Sequence, residues 1–153
     1  MNSSTQAPVL QIRNIDLNDL GTITALLRGF GYPTTLNVMK ERLEAVENDP
    51  AYCTLVAEVN GQTVGMIELR QVISYCKEQE SVAELTAIIV EESLRRSGLG
   101  KRLIAAGEDW ARGRQCKQIF LSSGNRVERA PAHAFYRHLG FEQNGYRFCK
   151  SLL

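Results

Sequence analysis

The segment Arg95-Arg96-Ser97-Gly98-Leu99-Gly100-Lys101 constrains the fold of this chain more than any other. It joins a β-branched run, Val82 to Val90, to a stretch in which Leu99, Leu103, Ala106 and Trp110 recur at helical spacing, predicting a helix from about Gly98 to Arg114. Glycines at such a junction let the backbone turn tightly and aim free amide N–H groups at one point, and a helix that starts there attracts anions. Two familiar phosphate loops do not fit. A Walker loop needs glycine where Arg95 stands and Ser or Thr where Arg102 stands, and a dinucleotide fingerprint needs glycine at Leu103. What remains is Arg-x-x-Gly-x-Gly.

The rest of the chain supplies alternating element types. Val9 to Ile15 reads as a first strand ending at Asp16, whose side chain can cap the helix that follows, with Leu20, Ile23, Leu27 and Phe30 on one face. Beyond a loop, Phe30-Gly31-Tyr32-Pro33, the spacing of Leu36, Met39, Leu43 and Val46 predicts a second helix to Asn48. Tyr52 to Val59 and Gln62 to Val72 flank Asn60-Gly61, a pair that readily supplies the positive φ angles of a tight hairpin turn. Gln118 to Ser122 reads as a short strand. Pro131 to Leu139 reads as a helix opened by proline, and Phe141 to Leu153 as a terminal hairpin around Asn144-Gly145. The order βααβββαβαββ predicts an α/β fold, a single-domain mixed and mainly antiparallel sheet with helices on both faces. Residues 8–153 form the expected domain and residues 1–7 a frayed tail.

Composition excludes several classes. In 153 residues, 44% hydrophobic and 23% charged, no apolar run approaches the roughly 18 residues of a membrane helix. The opening Met-Asn-Ser-Ser-Thr-Gln has neither a basic start nor an apolar core, so no signal peptide is expected there. Cys53, Cys76, Cys116 and Cys149 lack CxxC spacing and neighbouring histidines, so no metal site is expected, and reduced thiols in the cytoplasm are. A net charge of +1 conceals an asymmetry. Residues 1–90 carry 6 basic and 11 acidic side chains, net −5, and residues 91–153 carry 12 and 6, net +6. The basic segment admits an anionic small molecule, whereas nucleic acid is disfavoured because no recognition helix or aromatic-basic platform accompanies it.

Arg-x-x-Gly-x-Gly followed by Ala132-His133-Ala134-Phe135-Tyr136-Arg137-His138-Leu139-Gly140-Phe141 resembles the GNAT superfamily of acetyl-CoA-dependent N-acetyltransferases. The element order matches over about residues 8 to 153. Val64-Gly65-Met66-Ile67, Ala83-Glu84-Leu85, Arg126, and Tyr146 to Leu152 are similar, more narrowly, to the aminoalkylphosphonate N-acetyltransferase branch. The resemblance implies acetyl-CoA as cosubstrate. Its pantetheine arm would run along Ile88, Ile89 and Val90, with a backbone N–H near Ile89 or Val90 polarising the carbonyl. Its pyrophosphate would lie on the amides and basic side chains of Arg95, Arg96, Ser97, Gly98, Leu99, Gly100 and Lys101. Many members carry asparagine seven residues before the helix tyrosine. Arg129 holds that position here, and Asn125 lies four residues earlier.

Acetyl transfer to an amine needs a neutral amine and a proton for the departing thiolate. An alkylammonium of pKa near 10.4 must lose its proton at a cost of about 4 to 5 kcal/mol at pH 7, so a base is useful. Glu84, eleven residues before Arg95, matches the strand carboxylate of some GNAT enzymes and is expected to be that base or an amine-orienting anion. Tyr136 is expected to be the general acid. A phenol of pKa near 10 is protonated at neutral pH, while a thiolate of pKa about 8.5 accepts a proton. Tyr32, Glu68 and Tyr75 would border the acceptor. His133 and His138 read as surface or capping residues, and no cysteine stands where a covalent acyl intermediate would need it. The expected function is acetylation of a small-molecule primary amine by direct attack in a ternary complex. Protein N-terminal or lysine acetylation, and a non-catalytic acyl-CoA-binding regulatory module, are the alternatives, and a homodimer is a possible assembly.

Overall fold

The computed structural model describes residues 9–73 and 81–153. The frayed tail expected at residues 1–7, Tyr75 and Cys76 lie outside them. Five strands form one sheet in the order β1 (Leu10–Asn14), β2 (Tyr52–Val59), β3 (Gln62–Ile73), β4 (Ser81–Val90) and β5 (Ile119–Phe120). The first three pairings are antiparallel and β4 to β5 is parallel. The architecture is the mixed, mainly antiparallel sheet predicted, with helices on both faces.

Helices α1 (Leu20–Gly29) and α2 (Leu36–Val46) cover one face. Leu20, Ile23 and Met39 pack there against Val56, Met66 and Ile89. Helix α3 (Leu99–Gly113) covers the other face, where Leu99, Leu103, Ile104 and Ala111 pack on Ala57, Ile67, Leu69 and Leu85. Gly107 lets α3 lie close, since a Cβ there would stand 2.9 Å from Leu69 Cδ1. Helix α4 (Ala130–His138) follows β5 and carries proline in its first turn.

The β2–β3 hairpin turns at Asn60 and Gly61, with φ of 51° and 83°, as the Asn-Gly pair requires. Asp16 does cap, but it caps the 3-10 turn Leu17–Asp19 that leads into α1, in a reciprocal box with Asp19. Asp19 is 4% exposed and takes a forked pair from Arg13 Nη1 and Nη2 at 2.8 and 2.9 Å. It also accepts from Thr63 Oγ1 and the Asp16 amide, each at 2.8 Å. The Arg13 guanidinium holds its carboxyl at about 2, below the usual carboxylate range, although burial opposes the shift.

Two expectations fail. The strand read over Gln118 to Ser122 shrinks to Ile119–Phe120, because β5 pairs with β4 only at Ala83 and Glu84 and then diverges. The terminal hairpin is absent. Residues 141–153 contain no strand or turn, and Gly145 is not among the residues of positive φ. An Asn-Gly turn is held by the strands that flank it, and a two-stranded ribbon without a third strand is marginal in water.

Candidate active site

The loop predicted to bind an anion begins with a 3-10 turn, Glu92–Leu94. Arg96 then adopts φ of 67° and Gly98 φ of 88°, so the chain reverses twice before α3 starts. The Arg95 amide donates to Glu92 O and the Ser97 amide to Leu94 O. Ser97 Oγ also bonds Leu94 O, which holds this exposed residue against the preceding turn. The first bond into α3 is Arg102 N to Gly98 O at 3.1 Å. The amides of Arg96, Gly98, Leu99, Gly100 and Lys101 therefore have no backbone acceptor among the described residues, as at any helix start. The Arg95 guanidinium lies 4.3 Å from the Phe30 ring centroid, joining the loop to the end of α1. Gly100 packs under α4, where a Cβ would meet the Phe135 ring at 3.1 Å.

Beside this loop one edge of β4 runs on without a strand partner among the described residues. After Glu84 the pairing of β4 with β5 ends, while β4 continues to Val90. Amides alternate in direction along a strand, so half of those from Leu85 to Val90 point away from β3, into the space β5 has left. Ile88 and Val90 pack towards α3, and Ile89 is buried towards α1 and α2. The register of β3 on β4 shifts between Glu68 and Leu69, leaving Thr86 as the extra residue of a bulge. Bulges re-aim side chains, and this one brings Thr86 to Glu68.

Two polar rungs cross the sheet there. Tyr52, Arg70 and Glu84 are register partners on β2, β3 and β4, and Arg70 Nε donates to Glu84 Oε1 at 2.7 Å. In the next rung Glu68 accepts from Thr86 Oγ1 at 2.7 Å and, at 3.4 Å, from Thr54 Oγ1. Glu84, the expected base, is thus ion-paired. Among the described residues Glu68 is held by two threonine hydroxyls, without a salt bridge. Sequence reasoning placed Glu68 only at the border of the acceptor, because its threonine partners follow from strand register and a bulge that no local motif marks.

Tyr136 lies on α4, partly buried against the α3 face, with ring centroids 5.6 Å from Phe135 and 5.8 Å from Phe141. Burial pushes its phenol up from the ordinary value; the charge of Arg129 opposes this, and Tyr32 adds to it. Tyr32, from the loop after α1, is thus an electrostatic neighbour of Tyr136. Arg129 is partly buried, its Cγ 3.8 Å from the Cβ position of Gly124, whereas Asn125 is exposed. His133 shares a hydrogen bond with Ser123 at 3.1 Å. Cys53, Cys116 and Cys149 are free, and burial raises the Cys53 thiol to about 11. No metal-binding cluster occurs among the described residues.

The glycine loop thus sets amides and cations at the start of α3, beside the edge of β4 beyond Glu84 and the polar rungs of Glu68 and Glu84. The acetyltransferase (GNAT) family matches residues 22–141, and the chain belongs to it. An aminoglycoside N(6′)-acetyltransferase of Stenotrophomonas maltophilia is 32% identical over 114 residues, 73% of each chain. An aminoalkylphosphonate N-acetyltransferase of Salmonella typhimurium is 27% identical over 146 residues, 95% of this chain and 93% of its own. Among solved structures, an aminoglycoside N-acetyltransferase in complex with CoA superposes with a TM-score of 0.84 at 18% identity, over 97% of this chain and 99% of its own, a likeness of fold. The protein is an acetyl-CoA-dependent N-acetyltransferase. The residues present fit that cosubstrate: among the described residues, amides without a backbone acceptor and cations at the loop suit a pyrophosphate, and an edge of β4 without a strand partner suits an amide-bearing arm.

Proposed function

We propose that this chain transfers acetyl from acetyl-CoA to a primary amine of a small, polycationic molecule by direct attack in a ternary complex. The observation that carries the reading is the pair of carboxylates, Glu68 and Glu84, on neighbouring rungs beside the unpaired edge of β4, opposed among the described residues by one ion-paired cation, Arg70. The excess negative charge attracts ammonium groups and repels a phosphonate, so an aminoglycoside-like or polyamine acceptor fits better than an aminoalkylphosphonate.

Arg96, Gly98, Leu99, Gly100, Lys101 and the Arg95 side chain hold the pyrophosphate, while Ser97, folded onto Leu94, shapes the loop. Ile88, Ile89 and Val90 offer the strand edge, and an outward amide there stabilises charge developing on the thioester oxygen. Arg129, nearer Tyr136 than the exposed Asn125, contacts the cofactor arm. Arg70 neutralises much of the pull of Glu84 on an ammonium proton, so Glu84 orients the wall. Glu68 accepts the amine proton, directly or through a water, and Tyr136 supplies a proton to the departing thiolate. The free thiols suit the cytoplasm.

Thiol release from acetyl-CoA, followed with a panel of aminoglycosides, polyamines, aminoalkylphosphonates, amino acids and peptides, tests this reading. Turnover is expected to be fastest with the polycationic amines and to fall at least tenfold in Glu68→Gln. Preference for the phosphonates would overturn the acceptor assignment, and full activity of Glu68→Gln would overturn the base.

A further inference from the structure

Thr34 is the one buried residue between positions 28 and 37, 9% exposed in a loop whose other side chains face solvent. Its hydroxyl has no hydrogen-bond partner, and it is the sole buried side-chain oxygen or nitrogen of which this is true among the described residues. Thr24 and Thr35 differ. Thr24 Oγ1 donates to Leu20 O at 2.6 Å, and Thr35 Oγ1 accepts from the Val38 amide to cap α2. A hydroxyl taken out of water without a partner destabilises the folded chain, whereas a methyl group of the same size does not. Valine has the shape of threonine, so packing alone does not call for this oxygen.

The loop lies on the face of the sheet covered by α1 and α2. It leaves α1 at Phe30, whose ring holds the Arg95 guanidinium, and passes Tyr32, the electrostatic neighbour of Tyr136. It then enters α2, where Met39 packs in one cluster with Ile89 of β4. The loop therefore crosses above the edge of β4 that runs past Glu84 without a strand partner among the described residues. Side chains alternate along a strand, so Glu68 and Arg70 share this face with Met66, and Thr54 shares it with Val56. Register sets Glu84 on the same face, opposite Arg70. The hydroxyl buried under the loop and the two carboxylates on the sheet are thus opposite walls of one space.

We infer that the Thr34 hydroxyl is a specificity-determining contact for a hydroxyl group of the acceptor, so that the preferred amine is a hydroxyl-bearing polycation, an amino sugar rather than a linear polyamine. This rests on the transfer to polycationic amines proposed above and narrows it. Glu68 and Glu84 select charge, whatever backbone carries it. A sugar hydroxyl both donates and accepts, as threonine does, so the two pair in either sense. Ammonium groups are better served by the carboxylates than by a neutral buried oxygen. The selection is asymmetric. An acceptor with the hydroxyl satisfies Thr34, whereas one without it leaves the oxygen unpaired in the closed complex.

Initial rates of thiol release with kanamycin B, its dideoxy form dibekacin and spermidine test the contact. The first two carry the same amines, but dibekacin lacks the hydroxyls of the ring that bears the primary aminomethyl group. Wild type is expected to show a kcat/KM for kanamycin B at least tenfold above that for either of the others. Thr34→Val is expected to shrink both preferences about tenfold, through a higher KM for kanamycin B, and Thr34→Ser to keep them. Without ligand, Thr34→Val is expected to unfold at a urea concentration no lower than wild type, because it removes an unpaired oxygen from the interior. Equal kcat/KM for kanamycin B and dibekacin, preferences untouched by Thr34→Val, or earlier unfolding of Thr34→Val would each overturn the contact. Turnover of spermidine as fast as kanamycin B would do so and leave transfer to polycations standing. Absence of turnover with all three would overturn that transfer, and the contact with it.

Discussion

Asp19→Asn removes one charge from the network that fastens the start of α1 to β1 and β3, and its cost can be worked from the site. Arg13 lowers the Asp19 carboxyl from 3.8 to about 2 in the folded chain. That shift corresponds to about 2 kcal/mol at 1.36 kcal/mol per pKa unit, and the side chain is 4% exposed, so solvent screening is small. The folded value is the lower one. The contribution is therefore complete above about pH 4 and is lost as pH falls from there through about 2. Urea denaturation at pH 7 should show the variant unfolding about 1 M earlier for a slope of 1 to 3 kcal/mol per M. Wild type should lose this increment between pH 4 and 2, and the variant should show no corresponding loss. Equal midpoints at pH 7, or parallel pH curves for the two proteins, would refute the reasoning.

Three further outcomes follow from the geometry. Tyr136→Phe keeps the ring contacts with Phe135 and Phe141 and should lower kcat by about 10²-fold or more with little change in the acetyl-CoA KM. Because burial raises the phenol, the wild-type basic limb from this group should lie above pH 10 in a kcat profile. Gly98→Ala meets no atom within 4 Å but must hold φ near 88°, so it should cost about 1 to 2 kcal/mol in chemical denaturation and raise the acetyl-CoA KM. Alkylation followed by mass spectrometry should modify Cys149 quickly and Cys53 only on unfolding, since Cys53 is buried and its thiol is raised to about 11.

Features that rest on neighbouring residues were legible in the sequence. Asn60-Gly61 sets its own positive φ angles and thereby the first β2–β3 pairs, Val59 with Gln62 and Glu58 with Thr63, and the apolar spacing of Leu99, Leu103 and Trp110 sets α3 on the sheet. The glycine loop was readable for the same reason. What escaped depends on partners distant along the chain. Asp19 is a core ion only because Arg13 and Thr63 reach it from two strands. An arginine partner for Glu84 was one reading of the sequence, but only register identified it as Arg70. Glu68 gained one hydroxyl donor, Thr54, by β2–β3 register and the other through a bulge at Thr86 that β-branched residues do not announce. Asn144-Gly145 misled because it carries the same local preference as Asn60-Gly61 without a sheet beside it to complete the turn.

Direct transfer within a ternary complex is tested most directly by initial velocities of thiol release, with acetyl-CoA and a polycationic amine varied together. Intersecting double-reciprocal lines are predicted, because both substrates must occupy the splay and the acidic rung before the acetyl group moves. Parallel lines, with an acetylated protein trapped in the absence of amine, would contradict the account.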